Sequence, residues 1–280
     1  MLDKARNNPF VTSLVVLLIY LIWFLLSPTI LAPFASDTPP EGLDSLAAEL
    51  PNQIALIIIL TVIVAILQWW KPVGFTRQEK KSLRYIWPPL IYTFLYLIAG
   101  IFYGTQIDSG FFGASNVTKF IIALLTAFMV GYTEETMFRG ILFFGMGSKY
   151  KAFWGTIISA VIFGLFHFIN LIHGQEFGIT VNQVIHAGSV GIMYAALRLM
   201  TGSLWPVMLL HGFWDFSVIL APATISAATQ GSGVAQALAP AQTSGFSVSP
   251  IQFAPALLYG AFVLWRWTKR QKDTTVSETA

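Results

Sequence analysis

Eight stretches of roughly 20 apolar residues punctuate this chain, and that length is what a helix needs to cross a hydrocarbon core about 30 Å thick. They run over Val11–Ile30, Ile54–Trp70, Ile86–Tyr103, Val117–Phe144, Phe153–Ile172, Val181–Met200, Leu204–Leu220 and Ile251–Trp267. Backbone polar groups inside lipid must be satisfied within the segment, so helices are expected. The expected fold class is all-α: a polytopic membrane protein with about eight transmembrane helices. Composition agrees, with 55% apolar and 10% charged residues, where a soluble domain averages about a quarter charged. Cysteine is absent, which removes disulfides, thiolate metal sites and a cysteine nucleophile.

Basic residues test the count, because short cytoplasmic loops are enriched in Lys and Arg. Lys4 and Arg6 precede the first span, and Lys71, Arg77, Lys80, Lys81 and Arg84 lie between the second and third. Lys149 and Lys151 follow the fourth, Arg198 closes the sixth, and Arg266, Lys269, Arg270 and Lys272 end or follow the eighth. The alternate loops hold Lys119 but mostly acids: Asp37, Glu41, Asp44, Glu49, Asp108 and Glu176. Both termini are therefore expected in the cytoplasm. The net charge of +3 follows from this asymmetry and gives no reason to invoke nucleic acid. The first span reads as a retained anchor, since no small-x-small cleavage site follows it. The uncharged segment Ala221–Pro250 reads as a flexible external loop, and the Pro-rich Asp37–Pro51 as a second external connection. Trp69, Trp70, Trp205, Trp265 and Trp267 read as headgroup anchors.

Glu134, Glu135, Arg139, His167, His211 and Asp215 fall inside the spans. A charge there costs about 2.5 to 3.5 kcal/mol on insertion scales, so such residues usually serve function. Glu135 and Arg139 are four apart with the acid first, the favourable order for a pair on one helix. Glu134 projects about 100° away and is free to face a neighbouring span while that pair packs elsewhere. His211 and Asp215, also four apart, share a face. Glu134 is 15 residues before Lys149, His167 is 16 after Lys151 and His211 is 13 after Arg198. At about 1.5 Å per residue, all three lie roughly 20 to 24 Å from a basic flank. His173 and His186 fall nearer the external side and read as interfacial. Glycines at 131, 140, 164, 188 and 191 suit close helix packing, and Pro206 suits the first turn of the seventh span.

Glu134-Glu135-x-x-x-Arg139, Phe163-x-x-x-His167, the small-residue helix through Gly188 and Gly191, and His211-x-x-x-Asp215 after Gly-Ser-Leu-Trp-Pro together resemble the motifs of the CAAX protease and bacteriocin-processing family. That group includes the CAAX prenyl endopeptidase and bacterial proteins of the Abi type. The resemblance covers about residues 119 to 220. It implies a glutamate-dependent intramembrane endopeptidase, and the likeness to Abi proteins implies a bacterial inner membrane. Glu134 would be the general base on a water molecule, His167 would hold that water, and His211 with its partner would stabilise the oxyanion. Glu135 and Arg139 would orient their helix, and Phe163 would pack beside the site. The family's last position is usually Asn, where this chain has Asp215. An ionised Asp only accepts hydrogen bonds, so Asp215 either carries a proton or orients His211 and favours its imidazolium form; the second is preferred.

The expected organisation is an N-terminal membrane region over 1–116, a CAAX-protease-like core over 117–222, an external loop over 223–250, and a last span with a cytoplasmic tail over 251–280. The expected substrate is a peptide or membrane protein, and no cofactor is expected. Two alternatives remain. The Glu and His set would suit zinc, although no His-Glu-x-x-His run is present. Otherwise the chain is a non-catalytic bacteriocin-immunity or transport-type protein.

Overall fold

The computed structural model describes residues 2–34, 43–107, 113–228 and 250–279. Among them there is no strand, and eight helices reach 18 residues or more: α1 (Pro9–Leu31), α2 (Leu50–Leu67), α3 (Trp87–Ile107), α4 (Ala114–Glu134), α5 (Phe143–Phe166), α6 (Phe177–Thr201), α7 (Trp205–Ala228) and α8 (Pro250–Thr279). A π-helical segment, Glu135–Leu142, joins α4 to α5. Five helical stretches are long and apolar enough to cross a membrane: Pro9–Leu31, Leu50–Leu67, Trp87–Thr105, Asn116–Ile172 and Phe177–Thr201; Trp205–Leu220 is apolar but shorter.

The fourth of these runs for 57 residues, which as one straight rod would span about 85 Å. It is folded back. Lys151 has φ 68 and ψ 161, and the Phe138 and Phe163 rings, on either side of it, lie 4.9 Å apart. The expected fourth and fifth spans are therefore two limbs of this one stretch.

α7 packs along α3 and α4, α6 along α5 and α8, α1 along α5, and α2 along α4. Apolar side chains of α1 such as Val11, Val15, Leu18, Ile22 and Leu25 are exposed, while Ser13, Val16 and Tyr20 are buried. An outward face this apolar is suited to lipid and not to water.

The basic connections meet at one end of the bundle. Arg6 donates to the carbonyls of Ile66 and Leu67, Arg198 to those of Pro72 and Val73, and Arg270 pairs with Glu79 at 2.7 Å. Leu204 N–H donates to Gly74, and Glu79 N–H to Thr201. In the other set of connections, Lys119 pairs with Asp44 at 2.8 Å.

Three readings need correction. Helix α7 continues through Ala228, so the supposed loop is helical at its start; 229–249 lie outside the described residues, as do 35–42 and 108–112, which include Asp37, Glu41 and Asp108. Trp69 is only 3% exposed and packs against Phe144, so it is a core residue and no headgroup anchor. His186 stacks on Trp214 at 5.8 Å inside the bundle, whereas His173 is exposed.

Candidate active site

Close backbone approach positions the polar groups. A Cβ on Gly131, three residues before Glu134, would come within 2.5 Å of the Met208 carbonyl oxygen and 3.0 Å of the Gly212 nitrogen. Only hydrogen fits there, so α4 and α7 touch where one carries Glu134 and the other His211. Gly164 meets Val184 and Gly188 of α6 in the same way, one turn before His167.

The π-segment starts at the second glutamate. Its wider turn changes the angle at which successive side chains leave the helix, and such turns recur at functional sites. Glu134 and Glu135 both reach His211. Glu135 Oε1 lies 2.8 Å from His211 Nδ1 and accepts from Arg139 Nη1 at 2.9 Å. On the opposite edge of the ring, His211 Nε2 lies 3.6 Å from Glu134 Oε2 and 3.4 Å from Asp215 Oδ2. One imidazole is thus ringed by three carboxylates.

These groups differ in access. The Glu135 and Arg139 side chains are fully buried, His211 is 7% exposed, and Glu134 and Asp215 keep about a fifth of their surface, 20% and 21%. Arg139 lies 3.9 Å over the Phe163 ring, a cation–π contact of about 2 kcal/mol when desolvated. A Cβ on Gly191 would sit 3.1 Å from Arg139 Nη2, so that glycine leaves room for the guanidinium.

Proton positions follow from the partners. A carboxylate gripped by Arg139 can only accept, so His211 Nδ1 carries the hydrogen toward Glu135. His167 Nδ1 lies 2.9 Å from the Phe163 carbonyl, which also only accepts, leaving His167 Nε2 as the free ring nitrogen. The two histidines flank one ring: Phe163 stands edge-on to His167 at 4.9 Å and to His211 at 6.3 Å.

Glu134, Glu135, Arg139, Phe163, His167, His211 and Asp215 all lie in or beside this cluster, but two relations differ from expectation. The Glu135–Arg139 pair does not pack elsewhere; it is wired to His211. The short contact that orients His211 comes from Glu135, while Asp215 shares the other ring edge with Glu134. Sequence reasoning also missed Tyr194, whose ring lies 5.2 Å from His211 and 5.6 Å from the Arg139 guanidinium. The small-residue pattern of α6 was its only signal.

Beside the cluster lies a cavity of about 240 Å³ among α3, α6, α7 and α8, bounded by Tyr92, His186, Tyr194, Trp214 and Tyr259 among others. Tyr194 forms its wall toward His211, and Trp214 immediately precedes Asp215. Among the described residues, no group of three His, Cys, Asp or Glu is arranged to hold a metal ion.

Residues 116–217 match the family model described as type II CAAX prenyl endopeptidase, Rce1-like. That stretch is 102 of 280 residues and contains the whole cluster, so the region that carries the polar groups is the one similar to this family. The helices long and apolar enough to cross a membrane make the chain an integral membrane protein. No curated protein and no solved structure matches the chain.

Proposed function

We propose that this chain is an intramembrane endopeptidase in which Glu134 activates a water molecule to hydrolyse a peptide bond. The observation that carries the reading is His211, held between Glu135 on one edge and Glu134 with Asp215 on the other, within the family-matched stretch. Glu134 is the carboxylate suited to act as base: it is partly accessible and its Oε atoms are not gripped by Arg139. Glu135 is the orienting group.

In this reading the free Nε2 of His167 accepts a hydrogen bond from the water, which fixes its lone pair toward the scissile carbonyl. Glu134 takes the water's proton, oxygen attacks the carbonyl carbon, and the carbonyl becomes an oxyanion. The Nε2 edge of His211 faces that charge; with Nδ1–H already given to Glu135, Nε2 donates in the imidazolium form of the ring, and such donors are commonly worth about 3 to 4 kcal/mol. Collapse breaks the C–N bond as the proton held by Glu134 passes to the departing amine. Asp215, beside His211 Nε2, serves this edge of the ring; its protonation decides whether it donates or accepts. The apolar cavity beside Tyr194 and Trp214 suits an apolar part of the substrate, which is a peptide or membrane protein.

The same proposal includes eight crossings, cytoplasmic termini, the 117–222 catalytic core and an inner-membrane location. Supporting the topology, the contacts of Arg6, Arg198 and Arg270 gather the basic loops together, and Lys119 meets Asp44 in the alternate set.

The test compares membrane proteomes of cells carrying the wild-type chain or Glu134→Gln. A precursor should accumulate in the variant at equal protein level. Identical proteomes would end the proposal, and wild-type activity lost to a chelator and restored by zinc would replace Glu134-only chemistry with the metal reading.

A further inference from the structure

The cavity among α3, α6, α7 and α8 shares its walls with the polar cluster. On α7, Leu210 and Trp214 line it, and they immediately precede His211 and Asp215. One residue turns a helix by about 100°, so α7 offers one pair of side chains to the cluster and the neighbouring pair to the cavity. Tyr194 of α6 belongs to both: its ring lies 5.2 Å from the His211 ring and also lines the cavity. A single ring therefore divides the imidazole from the space beside it.

That space is not the product of loose helices. Trp214 stacks on Tyr92 of α3 at 5.8 Å and on His186 of α6 at 5.8 Å, and α8 is pressed onto α6 at Gly260, where a Cβ would meet the Met193 backbone at 2.7 Å. Packed interiors leave few voids larger than a water molecule, so a cavity between helices docked this closely is room for an occupant. Its lining is mainly apolar, and two hydroxyls within it are spent on the chain itself, Thr93 on the Pro89 carbonyl at 2.9 Å and Tyr259 on the Tyr85 carbonyl at 2.8 Å. At about 240 Å³ it is smaller than the roughly 300 to 1,000 Å³ of pockets that enclose whole small molecules. Its chemistry and size suit one large apolar side chain.

We propose that this cavity is a specificity pocket that takes one large apolar side chain of the substrate. Successive residues of a chain are about 3.8 Å apart and one ring intervenes, so that side chain belongs to a residue within about two of the scissile bond. The inference rests on the reading of Glu134 and His211 as catalytic, and narrows the substrate to one with a bulky apolar residue at a fixed position. Tyr92, Ala256 and Tyr259 come from α3 and α8, outside the family-matched residues 116–217, so the preference is set in part by helices that the family match does not cover.

The experiment uses the full-length chain in detergent and, as substrate, the precursor that accumulates with Glu134→Gln, its cleaved bond located by mass spectrometry. Each of the two residues on either side of that bond is changed to Ala in turn, and wild type is compared with Ala256→Phe, which fills the cavity from α8. The alanine precursor that has lost a large apolar side chain should lower the wild-type kcat/KM about 10- to 100-fold. Ala256→Phe should lower kcat/KM on the native precursor by a similar factor, and the two losses should not add when that variant meets that alanine precursor. Ala256→Leu, a smaller intrusion, should show the same pattern at a wild-type melting temperature, so a folding defect in Ala256→Phe does not decide the outcome. Wild-type kcat/KM in both cavity variants overturns the inference, as does an equal loss on every precursor, which a displaced lipid chain or a general distortion would give. A cleaved bond with no large apolar residue within two positions overturns it as well. In each of these cases an inactive Glu134→Gln leaves the reading of the base standing. Cleavage by Glu134→Gln, or no accumulating precursor, overturns that reading and this inference together.

Discussion

At the scale of the residue, the buried Glu135–Arg139 pair is an asymmetric liability. Removing the cation leaves Glu135 in the bundle with only His211 beside it, and breaking a buried pair from one side costs about 3 to 5 kcal/mol. Arg139→Met should therefore lower the melting temperature in detergent sharply and abolish processing, whereas Glu134→Gln should abolish processing at a near-native melting temperature. Similar melting temperatures for the two would show that the pair is not structural. The spacing of Glu135, Arg139, His211 and Asp215 was legible in the sequence because helical periodicity puts residues four apart on one face. The bond from Glu135 to His211 was not, since a carboxylate can accept from two helices and intrahelical spacing accounts for only one. Tyr20 and Trp69 were equally hidden. In a membrane chain the lipid face and the core face are both apolar, so an aromatic residue gives no sign of which it occupies.

At the scale of the element, the α4–α7 contact determines whether Glu134 and His211 meet. Gly131→Ala forces a Cβ against the Met208 carbonyl and should cost about 1 to 3 kcal/mol by overpacking, with a larger fractional loss of processing than of stability. Gly147→Ala is the matched control: its Cβ would meet only Ala152 Cα at 3.9 Å, and in a helix alanine is favoured over glycine by up to about 1 kcal/mol. Melting and processing measured on both variants check the pair. Apolar run length located the helices but not all of their ends, since α8 continues to Thr279, well past Trp267, and α5 begins at Phe143; the basic residues around Lys149 and Lys151 marked the reversal. Helix α7 outlasted its apolar run because Ala221 to Ala228 is compatible with helix although low in hydropathy. The π-segment left no trace, because a register of five has no distinct residue pattern over eight residues.

At the scale of the whole molecule, the lack of native cysteine makes orientation directly measurable. Single variants Arg77→Cys, Lys149→Cys and Lys272→Cys should react with a membrane-impermeant maleimide only after the cytoplasmic side is opened, and Asp44→Cys and Glu176→Cys in intact cells. Labelling of Lys149→Cys from outside would invert the reversal at Lys151 and with it the proposed topology. Charge asymmetry carried this part of the reading, since basic side chains mark a side of the membrane whatever the helices between them do. How the helices assemble was beyond it: which spans touch depends on small-residue contacts such as Gly131 with Gly212, and glycine is common throughout these spans.

The widened turn beginning at Glu135 carries a thermodynamic obligation. Such turns are rare, so this one depends on what its side chains grip, namely His211, the guanidinium and the aromatic face beneath it. In the proposed function, conformation and reactivity are consequently one equilibrium here. Any event that loosens the grip permits the backbone to rewind toward the commoner spacing, swinging the acidic residues away from the imidazole, so that the site disarms itself before the bundle comes apart.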